Sequence, residues 1–445
     1  MSSASRDKSA KSRAGCEQCK KRKLKCDRRQ PTCSRCLARR ETCTGNVACD
    51  QWQIERPWAI HNRAPPVPSA LENDTLRYWY DKACLNMAMF HPPVNPLSYD
   101  LSAWLRRSNA LRHTLESIAE AHRQGFAPGQ LVGALQAREL AIVSLHGELD
   151  RVRATPSPRR EPLLRVMLLS SLLLCISSSW LDSANKDFGL GFLVGSNSLV
   201  ELLTQAHPPD PPDPLAFYDI GLFFYWHAFS SYLTSPSQAV HIAPSALQAL
   251  RRPPFDAAVH PVTGISTSLC PLIAEAGQYY RRVVDTGILD REHVRSLEDE
   301  LRVWTPPDAC PRHSQLLQLA EGHRSLALIM LMQAATAAGE DVDRSVLVEH
   351  VTRAVAVVSH IPDHDPLLNW VGPVLVIAGS ELDAHHIEER LVVERVAMRL
   401  AGWTRVPTHL RSLTLVQDVW RLRDSGSPCT WLELMVAQDV ALALG

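Results

Sequence analysis

A small cysteine-organised α module followed by a large all-α domain is the fold class the sequence predicts, on three observations. Six cysteines near the N-terminus, Cys16, Cys19, Cys26, Cys33, Cys36 and Cys43, fall in the spacing C-x2-C-x6-C-x6-C-x2-C-x6-C. Basic residues are packed between them, so residues 1–45 carry 14 Lys and Arg against 4 acids. The remainder is punctuated by Pro and Gly at helix-length intervals, and strand-like alternation is scarce.

The cysteines come first. Each half repeats C-x2-C-x6-C, and six thiolates are two short of the eight that two separate tetrahedral zinc sites need. Two cysteines must therefore bridge both metals, which predicts a zinc-organised module holding two Zn²⁺. A disulfide framework is the usual reading of clustered cysteines in a small secreted domain. Here no apolar stretch lies near the N-terminus, and Cys49, Cys84, Cys175, Cys270, Cys310 and Cys429 are scattered without a pairing pattern. Reduced intracellular thiols are the expectation.

The overall charge of zero hides an asymmetry. Residues 1–45 are +10, so the remaining 400 are −10. Lysine divides the same way: six precede residue 26, and only Lys82 and Lys186 follow. Two Zn²⁺ and six thiolates together contribute −2, which leaves the metallated head near +8. A metal store has no need of such charge, whereas a rigid module of this density is the electrostatic footprint of DNA binding.

Residues 16–43 resemble the fungal Zn₂Cys₆ binuclear-cluster transcription factors, in cysteine spacing and in the residues between. The run Cys16-Glu-Gln-Cys19-Lys-Lys-Arg-Lys-Leu-Lys-Cys26-Asp27 matches the basic first half of that family, and Pro31 sits where its loop has proline. The resemblance implies that Cys16, Cys19, Cys26 and Cys33 hold one zinc and Cys33, Cys36, Cys43 and Cys16 the other, with Cys16 and Cys33 bridging. It also implies that a short helix after the first ligand pair projects Lys23, with Arg22 beside it, onto the G·C pairs of a CGG triplet. A Lys or Arg reaching guanine O6 and N7 is worth about 1–3 kcal/mol per base pair. Lys20, Lys21, Lys25, Arg28, Arg29, Arg35, Arg39 and Arg40 are assigned to phosphates, which supply affinity and salt dependence. The run Lys20-Lys21-Arg22-Lys23-Leu24-Lys25 also reads as a nuclear import signal, so the nucleus is the expected location.

Metal must also fold the head. Leu24 and Leu37 are nearly its whole apolar complement, too little to offset chain entropy without a staple. Residues 1–15 are expected to be a basic disordered tail, and 16–43 the DNA-binding domain. Residues 44–74 form a proline-rich linker with Trp52 and Trp58 as its aromatics. No apolar repeat of coiled-coil period follows Cys43, so paired-triplet recognition through such a coil is not expected. A monomer, or a homodimer through the helical body, is left open.

The body, 75–445, is expected to be an all-helical regulatory domain. Candidate helices are 75–90, 98–124, 130–152, 163–181, 190–206, 215–233, 266–286, 291–303, 312–338, 343–359, 367–381, 383–401, 408–423 and 430–443. They are separated by breakers such as Pro156 and Pro158, the prolines between His207 and Pro214, and Pro306-Pro307. The stretch from Val166 to Ile176 invites a membrane reading, but Arg165 bounds it and serines dilute it below the ~20 apolar residues a bilayer helix needs. It is read as a buried core helix, and no membrane partner is expected.

The body resembles the helical fungal-specific transcription factor domain, particularly its second type. The likeness is carried by the Leu-rich helix 163–176, His260-Pro-Val-Thr-Gly-Ile265, Asn369-Trp370, the stretch Gly372 to Gly379, Val419-Trp420 with Asp424, and Trp431. It implies a regulatory body that meets transcription machinery or co-regulators. An enzyme is the competing reading. His360, Asp363, His364 and Asp365, and Asp383, His385, His386 and Glu389 in the helix after Gly379, are the polar clusters that could be drawn as metal sites. Adjacent His385 and His386 would point about 100° apart on a helix, and the first cluster surrounds Pro362 in a loop, so a solvated surface is the better reading. No nucleophile elbow, P-loop or dinucleotide glycine pattern is present. The expectation is a sequence-specific, zinc-dependent transcription regulator of one pathway, for instance a secondary-metabolite gene cluster, and not an enzyme. The rival is a helical enzyme or scaffold that uses the zinc head only for chromatin localisation.

Overall fold

Capping and burial decide where each helix of this chain starts and stops. The computed structural model describes residues 16–27, 29, 32–41, 43, 73–91, 95–156, 160–205, 214–307, 314–362 and 365–445. The expected tail over 1–15 and all but the last two residues of the expected linker, Trp52 and Trp58 included, lie outside them. The chain divides into two units, Met1–Ile60 and His61–Gly445.

In the first unit α1 (Glu17–Lys21) and α2 (Ser34–Leu37) are each one turn long. Leu24 and Leu37 are exposed, so the interior of the head is made of cysteine alone: Cys16, Cys19, Cys33 and Cys36 are buried, with Cys26 and Cys43 packed against them. An interior of sulfur has no hydrophobic rationale, because burial stabilises these groups only through a metal.

The regular elements of the second unit are helices among its described residues, apart from a single bridge between His260 and Gly264. Asn73 caps α3 (Asp74–Asp81) through a side-chain bond from Thr75 N–H. After α4 (Ser102–Leu105), α5 (Asn109–Arg123) and α6 (Val132–Ala154) form a hairpin that packs on α7 (Glu161–Leu181). Two helices are apolar on every side and therefore lie inside: α7, and α9 (Pro214–Ser230) with its run of Phe, Tyr and Trp. Between them in sequence, α8 (Leu190–Gln205) covers α7. Of the described helices, α7 is the one long and apolar enough to cross a membrane, and 94% of its most apolar window is buried in this unit. α10 (Pro244–Ala249) and the hairpin at His260 lead to α11 (Cys270–Thr286), which packs on α9 and on α13 (Ser314–Ala337). The peripheral helices are α12 (Arg291–Val303), α14 (Arg344–Ser359), α15 (Ile387–Thr404), α16 (Pro407–Asp424) and α17 (Trp431–Ala437).

Several helices differ from expectation, each for a local reason. The segment 98–124 is not continuous: Ser108 accepts from Leu111 N–H and starts a new helix. The segment 75–90 breaks at Lys82 and continues as a 3₁₀ turn over Ala83–Met87. Over 367–381 the chain runs as a 3₁₀ turn (Pro366–Trp370), a π turn (Val374–Ala378) and a second 3₁₀ turn (Gly379–Glu381) instead of an α-helix. At Gly372 a Cβ would lie 2.5 Å from the Leu444 carbonyl oxygen, which explains why the segment starts with glycine. The expected helix 430–443 stops at Ala437, because Asp439 turns the chain left-handed at φ 53° and Leu442 to Leu444 bury themselves in the core. The expected start at 383 moves to Ile387, since Asp383 accepts from His385 N–H at 2.9 Å and meets His386 Nδ1 at 2.8 Å. His385 and His386 are thus not on a helix.

The motifs that suggested a regulatory body are packing devices. His260 is fully buried, and its Nε2 lies 2.9 Å from the Phe217 carbonyl while Nδ1 accepts from Val262 N–H at 3.0 Å. Its ring lies against Gly221, where a Cβ would come within 2.2 Å of it. Trp420 donates to the Gly379 carbonyl at 2.8 Å, and Trp431 to Gln333 Oε1 at 2.9 Å. Gln333 in turn donates to Glu381, whose carboxylate also receives Arg344 at 3.2 Å and Arg423 at 2.9 Å.

Candidate metal centre and nucleic-acid interface

The head is a tandem of two units offset by 17 residues, and the offset holds in detail: Cys16 and Cys33 precede α1 and α2, Cys19 and Cys36 lie on them, and Cys26 and Cys43 follow. Each helix ends in a left-handed corner, Lys23 at φ 56° and Arg40 at φ 53°. Each corner closes by the same bond, from Leu24 N–H to the Cys19 carbonyl at 2.9 Å and from Glu41 N–H to the Cys36 carbonyl at 3.1 Å. The repeated geometry turns the chain back so that the third cysteine of each unit meets the first two.

The sulfurs converge as two overlapping sets. Those of Cys16, Cys19, Cys26 and Cys33 lie within 4.8 Å of one another, as do those of Cys16, Cys33, Cys36 and Cys43. Cys16 and Cys33 belong to both. Sγ separations are 3.7 Å for Cys16 to Cys33 and for Cys16 to Cys36, and 3.8 Å for Cys19 to Cys33. A tetrahedron with Zn–S bonds of about 2.3 Å has edges of about 3.8 Å, so the donors fit zinc. Disulfides need about 2.05 Å, and all ten described cysteines are free thiols; Cys49 and Cys310 lie outside the described residues. Burial pushes the Cys19 thiol up to about 12, with neighbouring sulfurs acting the same way, and raises Cys36 too. Thiolates this close need cations between them, and loading the site releases protons.

Polar groups brace the two units. Asp27 accepts from Ser34 N–H at 3.1 Å, tying the end of the first unit to the start of α2, and this contact holds its carboxyl below the usual range. Arg22 pairs with Glu41 across the units. Sequence reasoning assigned neither acid a role: Asp27 entered only within the run matched to the family, and Glu41 lies in no motif.

The basic residues fall into distinct settings. Lys23 is exposed, in the left-handed corner two residues past the end of α1, and so is not projected by a helix as expected. Arg22 is half-buried in its ion pair. Lys21, Lys25, Arg29, Arg35, Arg39 and Arg40 are exposed. Arg28 and the side chain of Lys20 lie outside the described residues.

In the body, Asp383, His385, His386 and Glu389 do not converge as a ligand set. Asp363 and His364 lie outside the described residues. Among the described residues, three or more His, Cys, Asp or Glu ligand atoms converge only in the two cysteine sets.

A cysteine-centred basic head that fits zinc, attached to an all-α body, defines a zinc-binding, DNA-binding regulator of transcription. Residues 14–52 match the fungal Zn(2)-Cys(6) binuclear cluster domain and residues 74–445 match the fungal specific transcription factor domain. The second match takes in most of the chain, which therefore belongs to the fungal-specific transcription factor family, carrying a Zn₂Cys₆ head. Neither is a family of enzymes. No curated protein and no solved structure matches the chain.

Proposed function

We propose that this protein regulates one pathway by reading CGG-type triplets in double-stranded DNA through a head that holds two Zn²⁺. In this reading Cys16, Cys19, Cys26 and Cys33 ligate one ion, Cys33, Cys36, Cys43 and Cys16 the other, and Cys16 and Cys33 bridge. The observation that carries it is the membership of Cys16 and Cys33 in both sulfur sets, because a bridged pair lets six thiolates complete two tetrahedra. Lys23 is the principal base reader, being exposed at a fixed corner of the backbone. Arg22 contributes at the edge of that contact while its pair with Glu41 orients it. Lys20, Lys21, Lys25, Arg28, Arg29, Arg35, Arg39 and Arg40 supply phosphate contacts.

The protein works in the nucleus, and the body contacts transcription machinery or co-regulators. Self-association, where it occurs, runs through the body. A secondary-metabolite gene cluster is the kind of pathway such a regulator serves.

Binding-site selection with the zinc-loaded full-length protein tests the reading. Enrichment of CGG triplets is the expected outcome, and the number and spacing of triplets reports the oligomeric state. Enrichment of sites without CGG, or of no sequence, would overturn it.

A further inference from the structure

We propose that the body binds a small aromatic organic anion in a cationic cleft between α3, α5 and the C-terminal half of α15. The cleft has a volume of about 890 Å³, within the range of ligand sites. Five cationic side chains line it, Lys82, Arg123, Arg395, Arg399 and Arg405, with no carboxylate among the described lining residues; of the five, Arg123 is paired with Glu120 at 3.9 Å. Arg395 and Arg399 stand one turn apart on α15, and Arg399 donates to the Ile361 carbonyl at 3.2 Å. Arg395, Arg405 and Lys82 form no ion pair with any described residue, although ion pairs are frequent elsewhere in this body.

The cleft is built to hold an aromatic body as well as a charge. Trp403 and Tyr78 line it with Leu85 and Leu368. The Trp403 indole is held in place: its N–H donates to Asn369 Oδ1 at 3.1 Å, and Asn369 donates to the Leu85 carbonyl at 2.6 Å. Tyr78 Oη meets His122 Nδ1 at 2.9 Å, and the guanidinium of Arg123 lies 5.0 Å from the Tyr78 ring centre. Burial pushes His122 down to about 4, and the charge of Arg405 acts in the same direction. Arg405 itself ends α15 as a left-handed cap at φ 58°, its N–H on the Ala401 carbonyl at 2.9 Å. Space is kept open where α15 passes the cleft: a Cβ on Gly402 would meet nothing within 4 Å.

This occupant is a small molecule and not a nucleic-acid strand, because aromatic walls fixed by partly buried hydrogen bonds stand beside the charges in a concavity. The class is a carboxylate or sulfonate on a ring system.

The probe is 8-anilinonaphthalene-1-sulfonate, titrated by fluorescence into zinc-loaded full-length protein. Saturable binding at one site is expected, displaced by naphthalene-2-carboxylate and not by neutral naphthalene-2-methanol. Gly402→Glu sets a carboxylate in the open space and favours the helix, while Arg405→Gly removes a cation and suits the left-handed cap. Each should weaken binding by on the order of tenfold or more, as loss of a charge-assisted contact does, with thermal unfolding of the body unchanged or raised. Absent or unsaturable binding, equal binding by both variants, or equal displacement by the neutral competitor overturns the proposal. So does a loss of duplex-DNA affinity in Arg405→Gly, which would make the cleft a nucleic-acid surface.

Discussion

The Arg22 guanidinium forms an ion pair with the Glu41 carboxylate, joining the segment after the first helix of the head to the segment that carries Cys43. Arg22 and its neighbour Lys23 therefore do different work. Lys23→Ala should cut affinity for a CGG site roughly 10- to 100-fold, the value of about 1–3 kcal/mol per base pair, and leave binding to unrelated DNA nearly unchanged. Glu41→Ala should reproduce most of the effect of Arg22→Ala without removing any positive charge, and the two together should be non-additive. Fluorescence anisotropy on specific and non-specific duplexes, with zinc content measured for each variant, separates these outcomes. An additive double variant would show that Arg22 acts independently of Glu41.

The membership of Cys16 and Cys33 in both sulfur sets predicts unequal cysteines. Cys33→Ser removes a ligand common to both sulfur sets and should empty the head of metal, abolish its folding and end specific DNA binding. Cys26→Ser touches one set and should leave one zinc bound. Native mass spectrometry reads the stoichiometry directly, and equal metal loss in the two variants would contradict bridging by Cys33. Chelation should have the effect of Cys33→Ser, because structural zinc contributes on the order of 10 kcal/mol to such modules.

The body should lose stability as acidity rises past neutrality. His227, His260 and His323 are buried, and burial pushes each down to about 4. Their folded-state values lie below the ordinary value near 6.5, so the unfolded chain binds protons that the folded chain refuses. The stabilisation is fully present above about pH 6.5 and is lost as pH falls toward 4, by up to a few kcal/mol for each histidine. Thermal unfolding followed by tryptophan fluorescence between pH 7.5 and 4.5 should show the midpoint falling steadily. His260→Asn should flatten the slope at a cost in baseline stability, and an unchanged slope in that variant would remove His260 from the account.

Glu381 holds the C-terminal half together. It is 5% exposed and receives Gln333, Arg344 and Arg423. Glu381→Ala strands two guanidinium groups and frees Gln333, so a loss of about 2–4 kcal/mol is expected, less than the full cost of a broken buried pair because Arg344 is half-exposed. Glu381→Gln should recover part of it by keeping the bond from Gln333. Urea denaturation of the zinc-loaded protein provides the measurement.

Much of the fold was legible for identifiable reasons. The α7 helix announces itself by its Leu-rich run, and the helix expected over 291–303 is observed as α12, where the Asp290 side chain accepts from Glu292 and His293 N–H at 3.1 Å. The misses are places where a side chain overrides propensity. Ser108 and Asp383 redirect the backbone by local bonds, α10 is too short to show a period, and the π turn at Val374–Ala378 fits a packing demand from distant chain. In the head, the convergence of the six cysteines was legible, whereas the bracing roles of Asp27 and Glu41 were not.

The sequence by itself determined the chemistry of the head: cysteine count and spacing dictate metal ligation, and the +10 charge dictates a polyanionic partner, because ligand identity and net charge are composition, independent of conformation. It also set the all-α class through apolar periodicity and breakers. Tertiary structure alone decided which cysteines share two sulfur sets, that Arg22 meets Glu41 while Lys23 stays exposed, and that Tyr78, Arg123 and Arg405, scattered along the chain, line one cleft. Those are relations between residues brought together by packing, and no local pattern in the chain encodes a distance between segments that meet only once it has folded.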